Sequence, residues 1–269
     1  MIASNTKLTR LKNILNTLKS VVIAYSGGVD SAFLLKVAAD TLGKENVLAV
    51  TARSETYPYR EFKEAKIFAK QIGARHKIIK TSELGIKGFK NNPMNRCYYC
   101  KKELFSKLKA IAKREVLNHC IDGTNYDDLK DIRYGRRAAR ELGVRSPLLE
   151  AKITKGDIRN FSKALRLKTW DKPSFACLAS RFPYKSKITK EKLSIVEKAE
   201  AFLRALGIRQ VRVRHYGQLA RIEVYPEDIK ILLGQKNAKK ISQRFKKLGF
   251  LYTTVDLEGY RTGSMNRDK

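Results

Sequence analysis

The chain has 269 residues, of which 43% are hydrophobic, so we expect one large domain with a sizeable core and a smaller second domain. Its 57 Lys and Arg residues against 26 Asp and Glu residues give a formal net charge of +31. This charge favours anionic partners such as nucleotides, phosphorylated substrates or RNA, without choosing among them. The basic residues are spread along the chain, so a solvated basic surface accounts for most of the charge. No apolar run approaches the roughly 20 residues of a membrane span, so no transmembrane segment is expected.

The first part of the chain alternates helices and strands. Leucine and isoleucine recur at helical spacing over residues 8–18, which predicts an amphipathic helix and not a signal peptide. Strands are predicted at Val21–Tyr25, Val47–Thr51, His76–Thr81 and His119–Asp122, and helices at Ala32–Leu42, Arg60–Ile72, Lys101–Arg114 and Asp131–Leu142. The alternation predicts an α/β fold with a parallel sheet and helices on both faces, whose ligands bind at the carboxyl ends of the strands.

The pattern changes after residue 170. Asp171–Thr189 contains two prolines and a cysteine without clear periodicity, and we interpret it as a functional loop or linker. The following helices are predicted at Lys190–Leu206, Pro226–Leu233 and Ala238–Leu248, and the strands at Gln210–His215, Ala220–Tyr225 and Leu251–Asp256. We therefore predict an N-terminal domain over 1–170, a cysteine-bearing loop over 171–189 and a small α+β domain over 190–269.

A glycine-rich turn joins the first strand to the next helix, and it consists of Ser26, Gly27, Gly28, Val29, Asp30 and Ser31. The two glycines allow a tight turn, and amides at a helix N-terminus favour a bound phosphate. Asp30 suits such a site only if Mg²⁺ lies between its carboxylate and the phosphates. The turn is not a Walker A motif, because no Gly-Lys-Ser/Thr follows. It resembles the SGGxDS signature of the PP-loop ATP pyrophosphatases, which cleave ATP between its α- and β-phosphates.

A second polar loop, Asp122–Asp128, follows the fourth predicted strand at the same edge of the sheet. Gly123, Thr124 and Asn125 suit contacts with a nucleotide, and Asp128 is a candidate Mg²⁺ ligand beside Asp30. The same residue types also form ordinary turns. The position of the Asp122–Asp128 loop beside the glycine-rich turn favours a nucleotide site over an ordinary turn.

Four cysteines are too few for a disulfide scaffold in a chain of this size, so we expect a reducing, cytoplasmic location. Cys97 and Cys100 form a CxxC pair before a predicted helix, and Cys177 lies in the 171–189 loop. A lone CxxC is a weak zinc signal, and scattered surface thiols are an alternative interpretation. Cys120 lies inside a predicted strand and is expected to be buried and inert.

Several segments together are similar to one family. They are SGGVDS, RCYYCK, DGTNYDD, Arg145–Arg159, PSFACLASR and Val211–Val224. In this combination the chain resembles the LarE family of ATP-dependent sulfur transferases over nearly its whole length. The resemblance implies adenylation of a carboxylate of pyridinium-3,5-biscarboxylic acid mononucleotide and its conversion to a thiocarboxylate in nickel-pincer cofactor biosynthesis. It also implies a homo-oligomer.

The same resemblance implies how sulfur is supplied. In one subclass a single cysteine, matched by Cys177, gives up its sulfur and becomes dehydroalanine. In another, three cysteines hold a [4Fe-4S] cluster that carries an extra sulfide. The presence of Cys97 and Cys100 besides Cys177 favours the second subclass. Three thiolates on a four-iron cube leave one iron open for that sulfide.

Candidate substrate residues follow from the resemblance: Ser180, Arg181, Glu200, Arg212, Arg214 and Asp228. Arg212 and Arg214 alternate on a predicted strand, so both side chains point to one face, where with Arg181 they could hold a phosphate and carboxylates. A solvent-exposed strand face is the alternative for the two strand arginines, and Glu200 and Asp228 could be ordinary surface carboxylates.

Three other functions fit parts of the pattern. A tRNA thiolase of the same superfamily would suit the charge of +31, although no familiar RNA-binding module is recognised. An ammonia-using amidotransferase resembling NAD synthetase would leave three cysteines without a role. A non-enzymatic nucleotide-binding regulator would release no pyrophosphate from ATP.

Overall fold

The computed structural model describes residues 2–130, 134–261 and 263–266. The helices are α1 Ile2–Leu18, α2 Val29–Leu42, α3 Tyr59–Ile72, α4 Arg96–Arg114, α5 Tyr134–Glu141, α6 Pro147–Glu150, α7 Lys155–Ala164, α8 Lys190–Ala205, α9 Ile229–Leu233 and α10 Gln235–Lys247. The strands are β1 Val21–Ala24, β2 Val47–Arg53, β3 Arg75–Lys80, β4 His119–Ile121, β5 Val211–Tyr216, β6 Leu219–Val224 and β7 Tyr252–Val255. The chain divides into two compact units, Met1–Ser82 with Asn95–Phe175, and Glu83–Met94 with Ala176–Lys269.

The first unit is built on a parallel sheet of order β3-β2-β1-β4. Alternate residues of β1 face opposite layers: Ile23 packs in a core with residues of α1, α2 and α7, and Val22 packs in a second core with residues of α4 and α5. Burial on both faces explains why β1 is a continuous apolar run. The predicted α/β fold with helices on both faces is confirmed.

The second unit contains a three-stranded sheet, in which β5 and β6 are antiparallel and β7 is parallel to β6. One face of β5 and β6 packs on α8 and α10 through an apolar core. The segment Glu83–Met94 belongs to this unit, whereas the sequence pattern placed it within residues 1–170. Asn92 shows the reason: its fully buried amide donates hydrogen bonds to the carbonyls of Phe182 and Pro183 at 3.1 and 2.7 Å.

Some element boundaries differ from the prediction. Helix α4 begins at Arg96 and not at Lys101, so the CxxC pair lies in the first turn of this helix and not before it. Helix α7 was not predicted, although Thr154 and Asp157 form a capping box at its start. The predicted start of α5 at residue 131 falls outside the described residues. None of the helices in the described ranges combines the length and hydrophobicity that crossing a membrane requires.

Candidate functional site

The glycine-rich turn after β1 is held by its own hydroxyl groups and by α3. Ser31 Oγ accepts a hydrogen bond from Ser26 N at 3.2 Å and donates one to the Gly28 carbonyl at 3.1 Å. Gly27 has a φ of +65°, and a Cβ there would stand 2.7 Å from Ala65 Cβ. Only glycine therefore fits at position 27. The turn leads directly into the N-terminus of α2, where backbone amides favour a bound anion.

The loop after β4 lies against this turn, as the sequence predicted. A Cβ on Gly123 would stand 3.2 Å from the backbone nitrogen of Ser31, so the two loops approach at backbone distance. Asp122 is buried and accepts hydrogen bonds from Thr124 Oγ1 at 2.8 Å and from Ser146 Oγ at 2.7 Å. Asn125 is also buried, and its side-chain oxygen accepts from the amide of Asp127 at 3.0 Å. These contacts fix the loop with Gly123 facing the start of α2.

Lys155 connects the two loops and is not among the site residues predicted from the sequence. Its Nζ lies 2.7 and 2.6 Å from the two carboxylate oxygens of Asp30, and its backbone nitrogen donates to Asp127 Oδ2 at 2.8 Å. Lys155 is the first residue of α7, immediately after the N-cap Thr154. The Thr-x-x-Asp spacing signals a helix start and could have located this lysine. Asp128 accepts a hydrogen bond from Asn125 N at 3.2 Å.

The cysteines of the first unit occupy different environments. Cys97 is exposed and Cys100 half-buried in the first turn of α4, and their spacing of three residues places both on one side of the helix. Cys120 is buried in β4, where burial raises the pKa of its thiol to about 11, so its predicted inert role agrees with its environment. Within the described residues, no three His, Cys, Asp or Glu side chains are grouped closely enough to hold a metal ion.

In the second unit, Arg181 organises the segment that carries Cys177. Its guanidinium donates to the carbonyls of Ala176 and Cys177 at 2.6 and 3.0 Å, and to Ser180 Oγ at 3.0 Å. It also forms a bidentate pair with Glu200, at 2.8 and 3.1 Å, in which both side chains are 1% exposed.

Arg181 and Glu200 stabilise each other in the ionised form. Burial alone would raise the pKa of Glu200, but Arg181, with smaller contributions from Arg204 and Arg212, outweighs burial and lowers this pKa to about 2. Glu200 also accepts from Val213 N and Arg204 Nη2, at 3.1 and 2.9 Å. Glu200 is therefore a buried carboxylate, and its interpretation as an ordinary surface residue is wrong.

Arg212 and Arg214 are 3% and 4% exposed, so the alternative of a solvent-exposed strand face is wrong for both. Arg214 forms a bidentate pair with buried Glu223, at 3.0 and 2.6 Å, and donates to the Ser180 carbonyl at 2.9 Å. The guanidinium of Arg212 lies over the Tyr260 ring, 5.3 Å from its centroid. Burial, together with the nearby charge of Arg181, lowers the pKa of Arg212.

The structure thus brings five of the six predicted substrate residues together around the Cys177 segment: Ser180, Arg181, Glu200, Arg212 and Arg214. Asp228 is half-buried in the turn Pro226–Asp228 and takes part in none of these hydrogen bonds. The three guanidinium groups outnumber Glu200 and Glu223, the two buried carboxylates that pair with them, so the cluster favours an anionic ligand.

Comparison with known proteins shows which family the chain belongs to. The NAD synthase family model matches residues 5–103. An uncharacterised protein of Synechocystis is 46% identical over 97% of both chains. The pyridinium-3,5-bisthiocarboxylic acid mononucleotide synthase of Lactiplantibacillus plantarum is 38% identical over 97% of this chain and 94% of its own length. The chain belongs to the LarE family.

Membership of the LarE family makes this protein an ATP-using sulfur transferase. The similarity to NAD synthetases is more limited: the ammonia-dependent enzyme of Pyrococcus furiosus is 38% identical over 27% of this chain. The NAD synthase family model ends at residue 103, before the buried arginine cluster of the second unit.

Proposed function

We propose that this protein uses ATP to adenylate a carboxylate of pyridinium-3,5-biscarboxylic acid mononucleotide, releases pyrophosphate, and converts the carboxylate to a thiocarboxylate in nickel-pincer cofactor biosynthesis. The observation that carries the proposal is the similarity, over 97% of the chain, to a synthase of the corresponding bisthiocarboxylic acid mononucleotide. Adenylation is chemically required, because a carboxylate oxygen is a poor leaving group until it is bonded to AMP.

The first step belongs to the loops after β1 and β4. ATP would bind with its phosphates at Ser26–Ser31 and with Gly123, Thr124 and Asn125 close by, and Asp30 and Asp128 would hold Mg²⁺. Phosphate-bound Mg²⁺ is typically held by one or two carboxylates, which agrees with this pair. Lys155 neutralises Asp30 in the structure. When Mg²⁺ and ATP bind, the Lys155 ammonium group would be released from this carboxylate and become available to the phosphates.

The second unit would supply the substrate site. Arg212 and Arg214, with Arg181 and Ser180, would bind the phosphate and carboxylates of the mononucleotide. Glu200 orients Arg181 and Glu223 orients Arg214, since each carboxylate accepts two hydrogen bonds from its guanidinium partner. Such preorganisation reduces the entropy that is lost on binding. Asp228 remains a candidate for the outer part of this site.

For sulfur, we propose that Cys97, Cys100 and Cys177 hold a [4Fe-4S] cluster. One feature supports this donor set: Cys97 and Cys100 share one side of the N-terminal part of α4, a 19-residue helix whose N-terminal dipole favours thiolates. A cluster bound by three thiolates would carry the transferred sulfide on its fourth iron. The competing route is sacrificial, with Cys177 alone losing its sulfur. We further propose a cytoplasmic homo-oligomer.

The decisive experiment is a pyrophosphate assay on anaerobically purified protein. Release from ATP and Mg²⁺ should depend on the pyridinium biscarboxylic mononucleotide. Nicotinic acid adenine dinucleotide with ammonia, the NAD synthetase substrates, should not replace it. Stimulation by tRNA, together with retention on tRNA at physiological salt, would instead support a tRNA thiolase.

A further inference from the structure

A partly buried lysine between α7 and Cys177 in the chain contacts the glycine-rich turn, although it belongs to none of the phosphate-binding motifs. Lys172 Nζ donates a hydrogen bond to the Gly27 carbonyl at 3.2 Å. The same atom lies 2.7 Å from Glu61 Oε2 and 2.7 Å from Glu64 Oε2. The side chain of Lys172 is 11% exposed, so water competes weakly with these contacts.

One face of α3 supports both the turn and the lysine. Glu61, Glu64, Ala65 and Phe68 recur at intervals of three and four residues, which places them on one side of the helix. Ala65 packs against Gly27, and the Phe68 ring centroid is 5.8 Å from the Nζ atom of Lys172. Burial would raise the pKa of Glu64, but hydrogen bonds from the lysine and from a neighbouring arginine lower it below its ordinary value. The lysine therefore faces an ionised carboxylate at neutral pH.

The backbone around Lys172 is fixed as well. Arg159 donates to the carbonyl of Trp170 at 2.7 Å and to that of Lys172 at 2.9 Å. Further along the segment, the Phe175 ring lies 5.6 Å from the ring of Tyr57, whose hydroxyl donates to the Ser26 carbonyl at 2.7 Å. Residues 170–175 thus contact the Gly27 carbonyl directly and the Ser26 carbonyl through Tyr57, and Cys177 follows two positions later in the chain.

We propose that Lys172 is a positioning residue for ATP, and that it makes residues 170–175 respond to nucleotide binding. In a trans peptide the carbonyl and the next N–H point in opposite directions. Holding the Gly27 carbonyl at Lys172 therefore directs the Gly28 N–H to the other side of the turn, where the phosphates would bind. The inference rests on the proposed ATP site and deepens it, because it links that site to the segment leading to Cys177.

Trp170 makes the proposal measurable, because it is the only tryptophan of the chain and lies two residues from Lys172. Titration of the wild-type protein with ATP should change the fluorescence emission of Trp170 until the ATP site is saturated. Lys172→Met should weaken ATP binding about tenfold or more, as expected for loss of a buried charge-assisted contact, and should reduce the emission change. Lys172→Arg keeps a cation between the carboxylates and should restore most of the affinity. Lys168→Met removes an exposed lysine nearby and should behave as wild type.

Lys172→Met leaves Glu61 and Glu64 without their shared cation and could therefore misfold. A second variant controls for this outcome. The triple variant Lys172→Met/Glu61→Gln/Glu64→Gln removes the uncompensated charges and should fold, yet it should also bind ATP about tenfold more weakly. Wild-type ATP affinity in a folded Lys172→Met or triple variant would overturn the positioning role and leave the proposed function intact. Absence of ATP binding in the wild-type protein would overturn both.

Discussion

The buried pair of Arg181 and Glu200 offers the sharpest test of the second unit. In Glu200→Gln the guanidinium stays buried without its counter-ion, and breaking such a pair costs about 3–5 kcal/mol. The pKa of Glu200 gives an independent magnitude: it is lowered from 4.5 to about 2. At 1.36 kcal/mol per unit, this corresponds to about 3 kcal/mol of stability at pH 7. We expect Glu200→Gln to lower the free energy of unfolding by about this amount.

The pH dependence has a definite sign. Because the folded pKa is depressed, the contribution of Glu200 is complete above pH 4.5 and is lost as the pH falls towards 2. The stability difference between wild type and Glu200→Gln should therefore shrink from about 3 kcal/mol at pH 7 to about 1 kcal/mol at pH 3. Urea denaturation followed by far-UV circular dichroism measures both values.

Glu227→Gln is the matched control, because Glu227 is exposed in the same unit, and its effect should stay within about 0.5 kcal/mol. A loss below about 1 kcal/mol for Glu200→Gln at pH 7 would refute the reasoning, because a buried pair of this geometry must cost more when broken. A difference that does not change between pH 7 and pH 3 would refute the assignment of the ionised form.

Three further variants test the other parts of the site. Gly27→Ala should lose ATP binding measured by titration, because a Cβ meets α3 there, whereas Gly143→Ala, with a similar φ of +67° and open space around it, should keep it. Asp30→Ala should fold yet release no pyrophosphate, and normal release would remove this residue from the Mg²⁺ site. Cys177→Ser should still release pyrophosphate and form no thiocarboxylate by mass spectrometry, whereas Cys120→Ala should form it.

The nucleotide-binding part of the fold could be predicted because its signals are local. An apolar run, two glycines and an apolar helix face are contiguous from Val21 to Leu42, and each segment alone favours the element that forms. The second loop, Asp122–Asp128, could be placed near the first because the carboxyl ends of parallel strands share one edge.

The contacts that complete the site could not be predicted in this way. Lys172 is 145 residues from Gly27 in the chain, and no local spacing relates them. The burial of Arg214 depends on Glu223 of the neighbouring strand and on Ser180 of a distant loop. In sequence, both cations look like solvated charges, because burial of a charge is set by tertiary partners and not by its neighbours in the chain.

The mass of the mononucleotide product is the most direct test of the proposed sulfur transfer. Anaerobic protein, with its iron content determined beforehand, is incubated with ATP, Mg²⁺, sulfide and the pyridinium biscarboxylic mononucleotide, and the mononucleotide is analysed by mass spectrometry. We expect one oxygen of the mononucleotide to be exchanged for sulfur, with AMP and pyrophosphate formed and with repeated turnover while sulfide is present. Repeated release of AMP and pyrophosphate without sulfur in the mononucleotide would contradict this expectation.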